Sequence, residues 1–158
     1  MIAVRAARPG DEALVLRFVR ELALFEREPD AVTASEADFA AALFGDAPSA
    51  EAVVAEADGE PVGFALFFHN FSTWEGRRGL YLEDLYVTPA ARGQGAGAAL
   101  LRHLAALAVA RDCARFEWSV LDWNAGAIAF YRAMGAVGQD EWTVQRVSGD
   151  ALTRLAGG

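Results

Sequence analysis

Apolar positions change their spacing along this 158-residue chain, and each change marks an element. Ile2 to Ala7 is a short apolar run closed by Pro9-Gly10-Asp11, which predicts a first strand followed by a helix with Asp11 as its N-cap. Leu14, Val15, Phe18, Val19, Leu22 and Phe25 then recur at helical spacing until Pro29 and Asp30 end the stripe. Ser35-Glu36-Ala37-Asp38 has the form of a capping box ahead of Phe39 and Leu43, a second and shorter helix. The pattern next turns strand-like. Ala52-Val53-Val54-Ala55 and Val62 to Phe68 flank the turn residues Asp58-Gly59-Glu60-Pro61, a hairpin signal. Leu80 to Val87 reads as a buried central strand, stopped by Pro89. Ala98, Leu101, Leu104, Ala105 and Ala108 give a helix, and Arg115 to Leu121 a strand. Asn124 caps a helix running to about Met134 and closed by Gly135. Trp142 to Val147 reads as a last strand and Asp150 to Leu155 as a tail helix. The order β-α-α-β-β-β-α-β-α-β predicts a mixed α/β fold with both antiparallel and parallel pairing, in one domain spanning 1–158.

Composition narrows the function classes. With 14 basic against 22 acidic residues the formal charge is −8, which argues against nucleic acid and anionic membranes as partners and is compatible with cationic substrates such as amines. Cys113 is the single cysteine, so there is no intrachain disulfide and no thiolate zinc cluster. His69 and His103 lack ligand spacing, and no metal is expected. No signal peptide or membrane-length apolar run is visible, which makes a cytoplasmic location the expectation. Cys113 and His103 read as inert structural residues.

The most pointed chemistry lies in Val87-Thr88-Pro89-Ala90-Ala91-Arg92-Gly93-Gln94-Gly95-Ala96-Gly97, between a strand and a helix. Glycines allow a tight turn, and the first amides of a helix lack internal partners and sit at the positive end of its dipole. Such a terminus binds phosphate, and Arg92 adds a fixed positive charge. A Walker A loop fails because Ala98-Ala99 stand where Lys-Ser/Thr is needed. A dinucleotide fingerprint from Gly93 to Ala98 fits only its looser form, and it follows three or four strands instead of the first. In Tyr81-Leu82-Glu83-Asp84-Leu85-Tyr86-Val87, two adjacent carboxylates interrupt an apolar strand. They point to opposite faces unless a bulge intervenes, and they either pair with an arginine such as Arg77 or Arg92 or line a cleft. Asn124 and Tyr131, two helical turns apart, share a helix face.

Arg92-Gly93-Gln94-Gly95-Ala96-Gly97, with the preceding Val-x-Pro and the following long helix, resembles the pyrophosphate loop of the GNAT N-acetyltransferases. Glu21-Leu22-Ala23-Leu24-Phe25-Glu26, Phe44-Gly45-Asp46, Phe71-Ser72-Thr73-Trp74, Leu82-Glu83-Asp84, Val120-Leu121-Asp122-Trp123-Asn124 and the tail Gly149 to Gly157 extend that resemblance across the chain. They point to the branch of diamine (spermidine/spermine) and thialysine acetyltransferases. The resemblance implies a mixed, mostly antiparallel sheet with helices on both faces. It also implies acetyl-coenzyme A as co-substrate, a small primary amine as acceptor and a homodimer. Carried over by position, Glu83 draws a proton from the amine through water, and Tyr131 protonates the departing thiolate. Leu85, Tyr86 and Val87 lie along the cofactor, Gly93, Gln94, Gly95, Ala96, Gly97 and Ala98 follow Arg92 around the pyrophosphate, and Asn124 and Ala127 add cofactor contacts. Phe25, Glu26 and Asp84 lie near the amine, and Glu117, Trp118 and Ser119 line its channel. An acidic residue before Trp142, Asp140 or Glu141, completes it. Two departures stand out: Phe25 replaces the branch's tyrosine, and Ala136 to Trp142 is shorter than in the diamine enzymes. Acetylation of a protein lysine or N-terminus, and acyl-coenzyme A binding without turnover, are the alternative functions.

Overall fold

A computed structural model describes residues 1–158. The chain forms two compact units, Met1–Ser119 and Val120–Gly158. The first holds a five-stranded sheet in the order β1-β2-β3-β4-β5, made of β1 (Ile2–Ala6), β2 (Glu51–Ala57), β3 (Glu60–Ser72), β4 (Arg77–Val87) and β5 (Phe116–Trp118). All pairs are antiparallel except β4 with β5, as the mixed fold class requires. The β2–β3 turn is the two residues Asp58 and Gly59, both at positive φ (+50° and +88°), the geometry that matches the twist of a tight hairpin.

Helices cover both faces of the sheet. α1 (Glu12–Phe25) and α2 (Glu36–Phe44) pack on each other, and α1 lies on β3 and β4. Their core joins Val15, Phe18 and Leu43 to Ala52, Phe64 and Tyr86 of the sheet, with the Phe18 and Phe64 rings stacked at 5.6 Å. α3 (Ala96–Ala110) packs across β1 to β4 and buries Leu100, Leu101, Leu104 and Ala108. Burying one such leucine is worth about 1.5–3 kcal/mol, so this stripe anchors the start of α3, and with it the glycine loop, against the sheet.

The predicted caps are realised selectively. Ser35 and Asp38 form the full capping box of α2. Asp11 precedes α1, but its carboxylate is taken by Arg5 (2.8 Å) and the Arg8 N–H (2.9 Å) and gives the helix no side-chain cap. The guanidinium and the Arg8 amide together hold the carboxylate away from the first-turn amides of the helix.

The second unit contains α4 (Ala125–Ala133) and α5 (Gly149–Ala156). The strand expected over Trp142 to Val147 does not form: no ladder bond reaches these residues, and Trp142 and Val144 are 68% and 76% exposed. The strand expected over Arg115 to Leu121 shrinks to Phe116–Trp118, because its partner β4 accompanies it only at Leu80–Leu82.

Candidate active site

The register of β3 against β4 slips by one residue beside the two carboxylates. Leu66 faces Asp84 but Phe67 faces Leu82, which leaves Glu83 as the extra residue of a bulge. Glu83 is exposed and Asp84 is half-buried. Burial, with the charges of Glu83 and Glu26 added, pushes the Asp84 carboxyl up to about 6. Burial also raises Glu26, at the C-terminal end of α1. The charges of Glu26 and Glu83 therefore both act on Asp84, which holds its proton far more firmly than an exposed aspartate.

Beyond Leu82 the β5 side of β4 has no strand neighbour. The Thr88 N–H donates to the Val62 carbonyl at 2.8 Å. In a trans peptide the Val87 carbonyl must then face the opposite way, toward the open side, and alternation gives Leu85 the same outlook. An extended amide chain could pair there as an added strand. Tyr86, between them, is buried in the α1 core, and its phenol is held above its ordinary value by burial and by Glu21. Its side chain thus belongs to the core, and only its backbone adjoins the open edge.

The glycine loop leads from this edge into α3. Gly93 and Gly95 take φ of +81° and +89°, and a Cβ at either would meet no atom within 4 Å. They are needed for backbone direction, not for space. Gly95 is the N-cap of α3 and provides no side-chain acceptor, so the amides of Ala96, Gly97 and Ala98 are uncapped by any side chain. Arg92 is at the rim, its Nε donating to the Val87 carbonyl at 3.2 Å, and Gln94 reaches back to the Ala90 carbonyl at 3.5 Å. Uncapped amides, a helix dipole and a guanidinium together fit a diphosphate.

On β5, Glu117 accepts a hydrogen bond from the Asn70 amide at 3.3 Å and Trp118 packs 4.9 Å from the Phe116 ring, and Ser119, just past the strand, shares a hydrogen bond with the Tyr81 hydroxyl at 3.0 Å. Asn70 was not anticipated. Its side chain occupies the place where a Cβ on Gly79, its cross-strand partner, would stand. An isolated glycine inside a strand was the available signal.

The remaining predicted residues belong to the second unit. Asn124 caps α4, its side-chain oxygen accepting from the Ala127 N–H at 3.2 Å, so that amide is already engaged. Ala127, Ile128, Phe130 and Tyr131 are the half-buried residues of α4, and the Tyr131 ring is tilted 50° to that of Phe130 with centroids 5.5 Å apart. Asp140 is exposed and folds its carboxylate back toward Gly138, and Glu141 is also exposed.

An open β4 edge, a glycine loop opening α3 and adjacent carboxylates on a bulge set the terms for comparison with known proteins. The profile of the Acetyltransferase (GNAT) family matches residues 16–136. The chain belongs to the GNAT acetyltransferase family. As a GNAT protein it is an acetyl-coenzyme A-dependent N-acetyltransferase. A thialysine N-epsilon-acetyltransferase of Bos taurus is 40% identical, over 99% of this chain and 98% of its own length. The spermidine/spermine N(1)-acetyltransferase-like protein 1 of Homo sapiens is 33% identical over 97% of this chain but only 23% of its own length. Among solved structures, an integron cassette protein from the mobile metagenome of V. cholerae superposes with a TM-score of 0.81 at 28% identity, covering 99% of this chain and 98% of that one.

Proposed function

We propose that this GNAT enzyme acetylates a primary amine of a small cationic substrate (a polyamine, thialysine or a related amino compound) by direct attack within a ternary complex. The acidic pocket of Glu26, Glu83 and Asp84 carries the reading. Burial first, and then the neighbouring carboxylates, raise the Asp84 carboxyl, and a bound alkylammonium offsets that unfavourable charge. Near-full-length likeness to thialysine N-epsilon-acetyltransferases supports the same substrate class.

In this reading Leu85 and Val87 bind the amide groups of the co-substrate, and Arg92 with the loop from Gly93 to Ala98 binds its diphosphate. The Asn124 and Ala127 turn is a further co-substrate contact. The co-substrate supplies an activated acetyl group. Phe25, Glu26, Asp84, Glu117, Trp118, Ser119 and Asp140 orient the amine. An alkylammonium with a pKa near 10.4 is about 3.4 units from neutral at pH 7, so freeing its lone pair costs about 4–5 kcal/mol. Glu83, exposed on its bulge, takes that proton through water. The amine nitrogen attacks the thioester carbonyl, a C–N bond replaces the C–S bond, the Tyr131 phenol gives its proton to the leaving thiolate, and the second proton shed by the nitrogen as the amide forms returns to the phenolate through water. One domain spanning 1–158 performs the reaction.

We also infer that the enzyme is a homodimer. Trp142 and Val144 alternate with polar residues on an exposed, unpaired stretch, and β5 is a sheet edge in the same chain. A second copy supplies each with a partner in a symmetric arrangement.

Thiol release from acetyl-coenzyme A, measured over spermidine, spermine, putrescine, lysine, thialysine, aminoglycosides and lysine-containing peptides, tests the substrate reading. Turnover confined to the small polycationic amines supports it. Preferential turnover of peptides points to a protein acetyltransferase instead, and coenzyme binding without release on any amine points to a sensor.

A further inference from the structure

The last turn of α1 is closed by backbone bonds that fix its side chains. The Glu28 N–H donates to the Ala23 carbonyl at 2.9 Å and the Arg27 N–H to the Leu24 carbonyl at 3.1 Å, with Arg27 at φ +65°. This crossed pair is a Schellman closure built on a non-glycine residue. It sets the directions of Phe25, the final helical residue, and Glu26, its cap. The Arg92 guanidinium lies 5.1 Å from the Phe25 ring centroid and 5.9 Å from that of Tyr86. A cavity of about 510 Å³ opens here, lined in part by Glu21, Leu24, Phe25, Tyr86, Pro89 and Arg92. One residue further on, Glu26 is close enough to Asp84 for its charge to act on that carboxyl. Adjacent residues of one hydrogen-bonded turn thus meet Arg92 at the glycine loop and act on Asp84 of β4.

Resting on the acetyl-coenzyme A and amine reading above, we propose that Phe25 is a positioning residue that couples the two substrate seats. Its ring holds Arg92 at the rim of the glycine loop, while the charge of Glu26 on the same turn acts on Asp84. A diphosphate that fixes Arg92 fixes the turn, and a cation that fixes Glu26 and Asp84 does so from the other side. Coupling of this kind is reciprocal, each ligand tightening the other by one factor.

The test is calorimetric titration of the full chain with coenzyme A, alone and with a saturating amount of the best amine of the panel above. The wild-type enzyme is expected to bind coenzyme A more tightly when amine is present. Phe25→Leu should weaken coenzyme A by about two- to five-fold, the worth of one exposed cation–π contact, and lose most of the mutual tightening. Phe25→Tyr, which keeps the ring, should restore both. Arg92→Lys keeps the charge but loses the flat stacking face and the Nε bond to Val87, and should weaken coenzyme A at least as much as Phe25→Leu and lose the mutual tightening. The double variant Phe25→Leu/Arg92→Lys should be no worse than Arg92→Lys alone. In initial rates, the KM for acetyl-coenzyme A should rise by more than kcat falls. Wild-type coupling in Phe25→Leu, or fully additive losses in the double variant, overturns the proposal while leaving the site intact. A wild-type enzyme that binds no coenzyme A overturns the site and the proposal together.

Discussion

Glu83 and Asp84 are covalent neighbours in different surroundings, and the bulge at Glu83 separates them. Asp84 is raised from 3.8 to about 6, first by burial and then by Glu83 and Glu26. Below about pH 4 it is protonated whether or not the chain is folded and contributes nothing to pH dependence. As pH rises through the window from about 4 to about 6, the unfolded chain gives up the proton first, so folding stability falls. Above that window the ionised carboxylate costs on the order of 1–3 kcal/mol. Asp84→Asn should therefore raise the melting temperature at pH 8 and leave it nearly unchanged at pH 4. Thermal melts of both proteins at the two values check this, and a gain equal at both would refute it. Glu83→Gln should lower kcat by about 10²–10³, and Tyr131→Phe should slow turnover by a smaller factor. Stopped assays at saturating amine read both. The two carboxylates were legible in the sequence, because charge inside an apolar strand demands an account. The slip of one residue was not, because it depends on how β3 and β4 settle against each other.

At the scale of elements, local signals were readable where a residue type and its backbone task coincide. Ser35 and Asp38 made their capping box, Asn124 made its cap, and the Asp58-Gly59 turn closed its hairpin. Asp11 failed as a cap because Arg5, on a different element, claimed its oxygens. The alternating Trp142 to Val147 stretch has a strand's pattern, but a strand exists only when a ladder partner stands beside it, and pattern alone does not name the partner. Gly95 offers a direct test of the loop at this scale. An alanine there clashes with nothing but must hold φ near +89°, so Gly95→Ala should cost about 1–2 kcal/mol in chemical denaturation and weaken coenzyme A binding. A variant as stable and as tightly binding as wild type would show that the left-handed turn is dispensable.

For the whole molecule, the formal charge of −8 is compatible with the cationic acceptors proposed for this enzyme. The fold class and helix order were legible throughout Met1–Ser119, where each element buries an apolar face on the sheet. Val120–Gly158 buries no residue deeply, and Val137, Trp142, Val144, Leu152 and Leu155 remain exposed. Light scattering in line with gel filtration should give a dimeric mass for the wild type. Val144→Pro, which removes an amide from the unpaired stretch, should shift it toward the monomer. A wild-type monomer at tens of micromolar would contradict the dimer. The central claim is that an acidic pocket beside a coenzyme A cradle selects small polycationic amines. Competing spermidine or thialysine against a lysine-containing peptide for acetyl-coenzyme A tests it most directly. The account predicts a kcat/KM for the small amine at least about a hundredfold higher, and a peptide acetylated equally well or better would contradict it.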